Sequence, residues 1–453
     1  MKLQGFQREV EHVRRSSFLL LLAMIAIPVA ASGQTPAPPA APRSISLQEA
    51  VTLAQRNALV VIQAHGDVRT SAATTRAAYG AFLPSVSLSA GATRQYTSGA
   101  LTRVENGQVV TLPSTPWSSN AGLSANVSLF TGGQRFFDLR QARARESAAD
   151  VNETVQQFAA ALTAKQQFYN VLAARESQFA ATAQLDQAEQ QRKTAIARVN
   201  ARVATRSDSL RAEIQYRTAQ LAIVTARNDL ETANAALTRV VGSDAPVTAA
   251  EDVPESPGLS LDDEALRTLA LDGPAVLQAK AELSAAKAAQ RSAWTDYLPS
   301  LTASYSRNGS GSGNDPQFVD RDFSYSGQLR FTASMPLFDQ FQREQRVTQA
   351  KVAQTNAEAA LRDARLASIE NLTQQLGAFR AAQERVVSQA ATVDAAEEDL
   401  RVQQQRYAVG ASTLLDVLTS QAQLNQARSD LIRARYDQRI AKAELEALVG
   451  REL

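Results

Sequence analysis

Gly327-Gln328-Leu329-Arg330-Phe331-Thr332-Ala333-Ser334-Met335-Pro336-Leu337-Phe338 is the stretch that decides the fold. Leu329, Phe331, Ala333 and Met335 alternate with Gln328, Arg330, Thr332 and Ser334, the two-residue period of a strand with one apolar and one polar face. Phe323 and Tyr325 continue the apolar phase upstream, and from about residue 339 the pattern becomes helical. The same passage occurs earlier in the chain. There Ala121, Leu123, Ala125, Val127 and Leu129 alternate with Gly122, Ser124, Asn126 and Ser128, and a helical run starts at 131. Two further strands precede these, carried by Val86, Leu88, Ala90 and Ala92 and by Leu301, Ala303 and Tyr305. Strands are therefore expected at about 84–97, 117–130, 299–308 and 321–335, each long enough to cross a bilayer. Alternation alone also fits a half-buried sheet in a soluble domain, so the surroundings of the strands must arbitrate.

Those surroundings are long helices. Residues 134–241 contain neither Gly nor Pro, and in 337–409 only Gly377 interrupts, so both stretches lack the residues that break helices. Helices are expected near 46–80, 131–203 and 205–241, and again near 261–297, 339–409 and 412–449. The two longest hold about 70 residues and reach on the order of 105–110 Å at 1.5 Å per residue. The two shorter helices of each set, laid end to end, match the long one, which predicts a rod with one long helix beside two stacked short ones. A coiled-coil spacing runs through Val417, Leu424, Ala427, Leu431, Ala434, Ala441, Leu445 and Leu448. It recurs in Tyr216, Ala219, Ile223, Ala226, Ala233, Leu237 and Val240, and on the long helix in Ile369, Leu372, Leu376, Phe379, Val386, Ala390, Val393 and Leu400.

The chain is thus written twice. Phe82-Leu83-Pro84-Ser85 recurs as Tyr297-Leu298-Pro299-Ser300, Ser128-Leu129-Phe130 as Pro336-Leu337-Phe338, and Val241-Gly242 as Val449-Gly450. Ser46-Leu47-Gln48-Glu49-Ala50 likewise resembles Ser260-Leu261-Asp262-Asp263-Glu264-Ala265. The expected organisation is a signal segment 1–33, a Pro/Ala-rich lead-in 34–45, a first repeat 46–242, a linker 243–259 and a second repeat 260–450. The signal segment rests on Lys2, Arg8, Arg14 and Arg15, an apolar core Phe18 to Ile27, and small residues Ala30, Ala31, Ser32 and Gly33 where a peptidase could cut. A short retained anchor is the alternative. An apolar core of about ten residues cannot span a bilayer as a helix, which needs about 20, so membrane insertion must use the strands. Four strands cannot close a barrel, and open edges in lipid leave backbone groups unpaired. Several chains must contribute, and three would supply about twelve strands.

Composition excludes much else. With 47 basic and 45 acidic residues the balance gives no reason to expect a nucleic acid partner. The absence of cysteine removes disulfides, thiolate metal sites and thiol nucleophiles. Only two histidines exist, His12 and His65, which leaves little for histidine-based catalysis or zinc binding. The carboxylates are spread along helix faces among Arg and Gln, a solvated pattern rather than a catalytic cluster. Neither an enzyme nor a cofactor is expected.

Leu129-Phe130-Thr131-Gly132-Gly133 and Pro336-Leu337-Phe338 resemble the strand-to-helix motif of the TolC-like outer-membrane efflux proteins. Arg406-Tyr407-Ala408-Val409-Gly410-Ala411-Ser412-Thr413-Leu414-Leu415-Asp416-Val417-Leu418 resembles that family's second periplasmic helix tip. The resemblance covers about residues 44–450. It implies a mainly α fold with a membrane β-barrel portion: a homotrimer in which a twelve-stranded barrel, four strands per protomer, tops a periplasmic α-barrel of long coiled-coil helices. It also implies the outer membrane of a Gram-negative-type cell, and an exit duct for efflux or type I secretion. The partners it implies are outer-membrane lipid, a periplasmic adaptor and an inner-membrane transporter that supplies the energy.

By the same resemblance, Tyr407 matches a latch tyrosine and Asp208 its carboxylate partner, a charge-assisted bond. A second latch position holds Ser412 facing Ser207, where the family uses an arginine, which predicts a weaker or absent latch there. Asp416 matches one carboxylate of the aperture ring, and Thr419 replaces the other; a solvated or capping role is the plain alternative for Asp416. Val409, Gly410 and Ala411 match the adaptor-docking tip. Arg202 stands at the equivalent place in the first repeat, which predicts an absent or electrostatic contact there. The competing readings are a periplasmic coiled-coil adaptor or spacer, which calls for one helical hairpin between soluble β-domains, and an enzyme on a helical scaffold.

Overall fold

The computed structural model describes residues 42–94, 102–105, 107–111, 117–251, 262–313, 315–316, 323–451 and 453. The expected signal segment, residues 34–41 of the lead-in and residues 252–259 of the linker lie outside these. The described chain runs β1 (Arg43–Ile45), α1 (Leu47–Asn57), α2 (Leu59–Gly80), β2 (Ser85–Arg94), β3 (Thr102–Glu105), β4 (Gln108–Thr111), β5 (Trp117–Thr131), α3 (Gln134–Asn200) and α4 (Arg206–Val241). It continues with β6 (Val247–Ala249), α5 (Asp263–Leu271), α6 (Pro274–Trp294), β7 (Ser300–Gly313), β8 (Ser324–Ser334), α7 (Gln342–Ala408) and α8 (Leu414–Val449). No helix among the described residues is long and apolar enough to cross a membrane.

The rod follows from the sequence pattern. α3 and α7 each hold 67 residues, about 100 Å at 1.5 Å per residue. α3 packs against α2 and α4, and α7 against α6 and α8, so one long helix does lie beside two shorter ones in each repeat. α3 also packs against α6 and α8, which joins the two repeats. The coiled-coil positions form the seams: Leu372, Leu376 and Phe379 of α7 bury against Ala441, Leu445 and Val449 of α8 and Leu266 of α5. Nearer the far end, Leu400 meets Val417 and Leu424.

Two expected helices are each divided in two. The run 46–80 breaks at Ala58, whose backbone is extended, and Asn57 there donates its side-chain amide to the carbonyl of Val241 at 3.1 Å. The run 261–297 breaks at Asp272–Gly273, where Pro274 restarts a helix as its first residue. Gly273 lies so near Leu448 that an added Cβ would sit 2.9 Å from its carbonyl oxygen. The lead-in and linker also acquire a role. Arg43, Ser44 and Ile45 pair in parallel with Val247, Thr248 and Ala249. Ile45, Val247 and Ala249 then join Phe168, Val171, Leu172, Leu237 and Val241 in a buried cluster around the middle of the rod. Arg175 of α3 donates to the carbonyl of Ala249 at 2.6 Å and fixes this belt to the long helix.

At one end of the helices the four main strands form an antiparallel sheet in the order β2-β5-β7-β8. Its register carries the alternation across every strand. Val86 sits opposite Ala125, Ala125 opposite Tyr305, and Tyr305 opposite Leu329. One step away, Ser87, Ser124, Ser306 and Gln328 form a polar row. A bulge between Ser128 and Phe130 leaves Leu129 as the extra residue, so Phe130 rather than Leu129 faces Leu301 and keeps the apolar row in phase. Near the far end Gly309 leaves room for the rings of Phe323 and Tyr325, which pack where its Cβ would be. The hairpin β3–β4, in the connection between β2 and β5, is a separate two-stranded ribbon that the alternation did not predict.

The recurring Phe82 and Tyr297 mark the junction of sheet and helices. Arg135, in the first turn of α3, stacks over Phe82 at 5.0 Å and donates to the carbonyls of Ala81 and Leu129 at 3.2 and 3.3 Å. Arg343, in the first turn of α7, stacks over Tyr297 at 4.9 Å and donates to the carbonyl of Leu337 at 3.3 Å. Each arginine thus ties the end of a strand to the start of a long helix.

Candidate functional site

The site residues singled out from the sequence lie at the other end of the helices, in two hairpins. α3 ends at Asn200, and Arg202 takes a left-handed conformation with φ 59°. The amide of Arg202 donates to the carbonyl of Val199, and that of Val203 to the carbonyl of Arg198, both at 3.0 Å. α7 ends at Ala408, Gly410 has φ 77°, and the same bonds run from Gly410 to Tyr407 at 3.2 Å and from Ala411 to Arg406 at 2.8 Å. Both are helix ends closed by a left-handed residue. In the second repeat glycine takes that conformation without a Cβ penalty; in the first, arginine carries it.

Both following helices open on a capping box. Asp208 accepts at Oδ2 from the amide and hydroxyl of Thr205 at 3.0 and 2.8 Å, and its own amide donates to Thr205 Oγ1. Asp416 does the same with Thr413, with both bonds to Oδ2 at 2.8 Å. Ser412 adds a third donor to Asp416 at 3.0 Å and lies 3.1 Å from Oε1 of Gln403. The Thr413 amide, then the Thr413 and Ser412 hydroxyls, hold the Asp416 carboxyl below its ordinary pKa of 3.8. The capping alternative for Asp416 is therefore present, and it leaves the carboxylate exposed and charged.

Tyr407 is half-buried at the seam of α7 and α8, beside Leu400, Val417 and Leu424. It lines a cavity of about 300 Å³ with Gln187, Gln190, Gln191, Gln404 and Leu414, between α3 and the α7–α8 hairpin. The guanidinium of Arg198 stacks on the Tyr407 ring at 4.5 Å. Tyr407 is not brought into hydrogen-bond contact with Asp208, whose carboxylate is engaged in its own helix turn. Ser207 is exposed, and its expected partner Ser412 bonds within its own hairpin instead. Val409, Gly410 and Ala411 are exposed at the second tip, and Arg202 is exposed at the first. Arg198 was not singled out from sequence; one arginine among many on a helix carries no signal until its neighbour across the seam is known.

The two tips match in backbone and differ in charge. Arg198, Arg202, Arg206 and Arg211 surround the first. Their counterparts at the second are Arg406, Gly410, Leu414 and Thr419. Arg192 of α3 bonds Glu213 of α4 at 3.0 Å and stacks on Tyr216 at 4.5 Å, which staples the first hairpin behind its tip.

Known proteins share this fold. The family model described as outer membrane efflux protein matches residues 50–243 and 266–451. Protein CyaE of Bordetella pertussis is 29% identical over 378 residues, covering 79% of this chain and 76% of that protein. Outer membrane protein TolC of Escherichia coli is 26% identical over 362 residues, covering 74% and 70%. The Campylobacter jejuni CmeC outer membrane channel superposes with a TM-score of 0.76 at 16% identity, covering 89% of this chain and 85% of that one. The fold is thus that of an outer-membrane channel with a periplasmic extension, a non-enzymatic transport duct. Rod, sheet, paired tips and two matched repeats together place the chain in the outer membrane efflux protein family.

Proposed function

We propose that three copies of this chain form the exit duct of a tripartite efflux or type I secretion system. The observation that carries the reading is the sheet: four strands, two open edges at β2 and β8, and an apolar face whose Val86, Leu88, Leu329 and Phe331 are exposed in a single chain. In water or in lipid such edges demand partners, and three copies joined β8 to β2 close a barrel of about twelve strands. The polar face then lines the lumen and the apolar face meets outer-membrane lipid. The six long hairpins continue as a periplasmic tunnel. Their tips meet a periplasmic adaptor, which joins the duct to an inner-membrane transporter that does the work. The exposed Val409-Gly410-Ala411 tip offers backbone at close range, whereas the Arg202 tip offers charge. At the tunnel mouth, Asp416 supplies a ring of three carboxylates that favours cations. Tyr407 and Asp208 hold the closed state when the hairpins tighten, and the Ser412–Ser207 position, without the family's arginine, adds a weaker latch or none.

The test is fractionation of cells expressing the protein, detergent extraction, and mass determination of the complex. A trimer in the outer membrane is expected. A soluble periplasmic monomer would replace this reading with that of an adaptor or spacer.

A further inference from the structure

We infer that Arg330 is a charge-selecting residue of the barrel lumen, which biases the barrel end of the duct toward anionic solutes. The inference rests on the trimeric duct above and adds to it a second filter, opposite in sign to the Asp416 ring.

The observation is an inventory of one face. Residues opposite one another in register share a face of the sheet. On the polar face of β2, β5, β7 and β8 every side chain but one is Ser, Thr, Asn, Gln or Gly. The exception is Arg330, in the row of Ser85, Asn126 and Ser304. Where this face meets the helices, Arg330 lines a hollow of about 550 Å³ with Ser85, Asn126, Ser304 and Thr332. The other arginine in mid-sheet, Arg307, lies in the row of Leu88 and Leu123 on the apolar face and stacks over Tyr325 at 5.3 Å. It does not contribute to the lumen.

Among the described residues no carboxylate pairs with Arg330. Its guanidinium makes a long donation to the side-chain oxygen of Gln328 at 3.4 Å. Its charge is therefore uncompensated, on a wall of neutral hydroxyls and amides that otherwise discriminates little between ions. Arg330 lies four residues from Ser334, the end of β8 nearest the helices, about 13 Å along the strand at 3.3 Å per residue. Threefold repetition sets three guanidiniums at one level above the tunnel. The helices, about 100 Å long, separate this level from the Asp416 tips. The Debye length is about 8 Å at physiological salt, so the two rings act independently.

The experiment is the reversal potential of the purified trimer in planar bilayers under a potassium chloride gradient at low ionic strength. It is carried out in the Asp416→Asn background so that the tip carboxylates do not dominate. Arg330→Gln should lower chloride permeability relative to potassium by about twofold, and Arg330→Glu should lower it further; Arg330→Lys should restore the original ratio. These factors follow from unit charges several Å from the ion path. A conducting trimer whose reversal potential is the same for Arg330, Gln and Glu would overturn the inference and leave the duct standing. Failure of the parent protein to form conducting trimers would remove the duct reading and this inference together.

Discussion

Asp416 caps its helix, and in the proposed duct the same carboxylate charges the aperture. Its Oδ2 is held by Thr413 and Ser412, and those donors are what depress its pKa. The sign follows: a depressed folded-state pKa gives stabilisation that is complete above the unfolded value and is lost as pH falls through the folded one. The cap and the ring charge therefore persist together through pH 7 and pH 5. Asp416→Asn should reduce block of the trimer by multivalent cations, and in the parent protein that block should be equal at pH 7 and pH 5. Relief of the block already at pH 5 would place the responsible carboxylate elsewhere. Tyr407 allows a similarly narrow test. Tyr407→Phe keeps the ring on which Arg198 stacks and removes only the hydroxyl. A rise in single-channel conductance is expected if that hydroxyl latches the closed state, and unchanged conductance would end the latch role. The sequence showed Tyr407 and Asp208 as candidates but not their engagement. A short carboxylate three residues after a threonine satisfies itself within its own turn, so its nearest donors are local ones.

The long helices were legible because only Gly377 interrupts them, and their seams because the apolar spacing persists over several heptads. Their breaks were only partly legible. Gly273-Pro274 is a readable restart, whereas the break at Ala58 carries no such mark and depends on Asn57 reaching Val241 across the fold. The belt at the middle of the rod lies at the same level of organisation. Phe168 is fully buried there, edge-on to Tyr169 with centroids 6.2 Å apart. Phe168→Ala should cost about 3–5 kcal/mol per chain, seen as a lower midpoint in thermal or denaturant unfolding of the detergent-solubilised protein. Unfolding unchanged from the parent would mean that the belt contributes little. The strand pairs β1–β6 and β3–β4 were not foreseen, because three or four residues are too few to show a period.

At the scale of the molecule, the sheet is incomplete and its apolar face uncovered. Leu329 lies on that face in the row of Tyr305, Ala125 and Val86. An arginine at mid-membrane on the lipid side of a barrel costs about 2–4 kcal/mol. Leu329→Arg should therefore lower the yield of folded trimer in the outer membrane, while Gln328→Arg, one step away on the lumen side, should not. Equal yields would mean that the apolar face is not the lipid face. The sequence by itself determined the four main strands, the long helices, the duplication and the family, because each is written in a local period or motif that neighbouring residues suffice to set. Only the tertiary structure decided which side chains meet: Arg198 on Tyr407, Asp208 in its own cap, Arg330 alone on a neutral wall. Those outcomes depend on register and on approach between segments distant in the chain, and no local pattern encodes the distance between them.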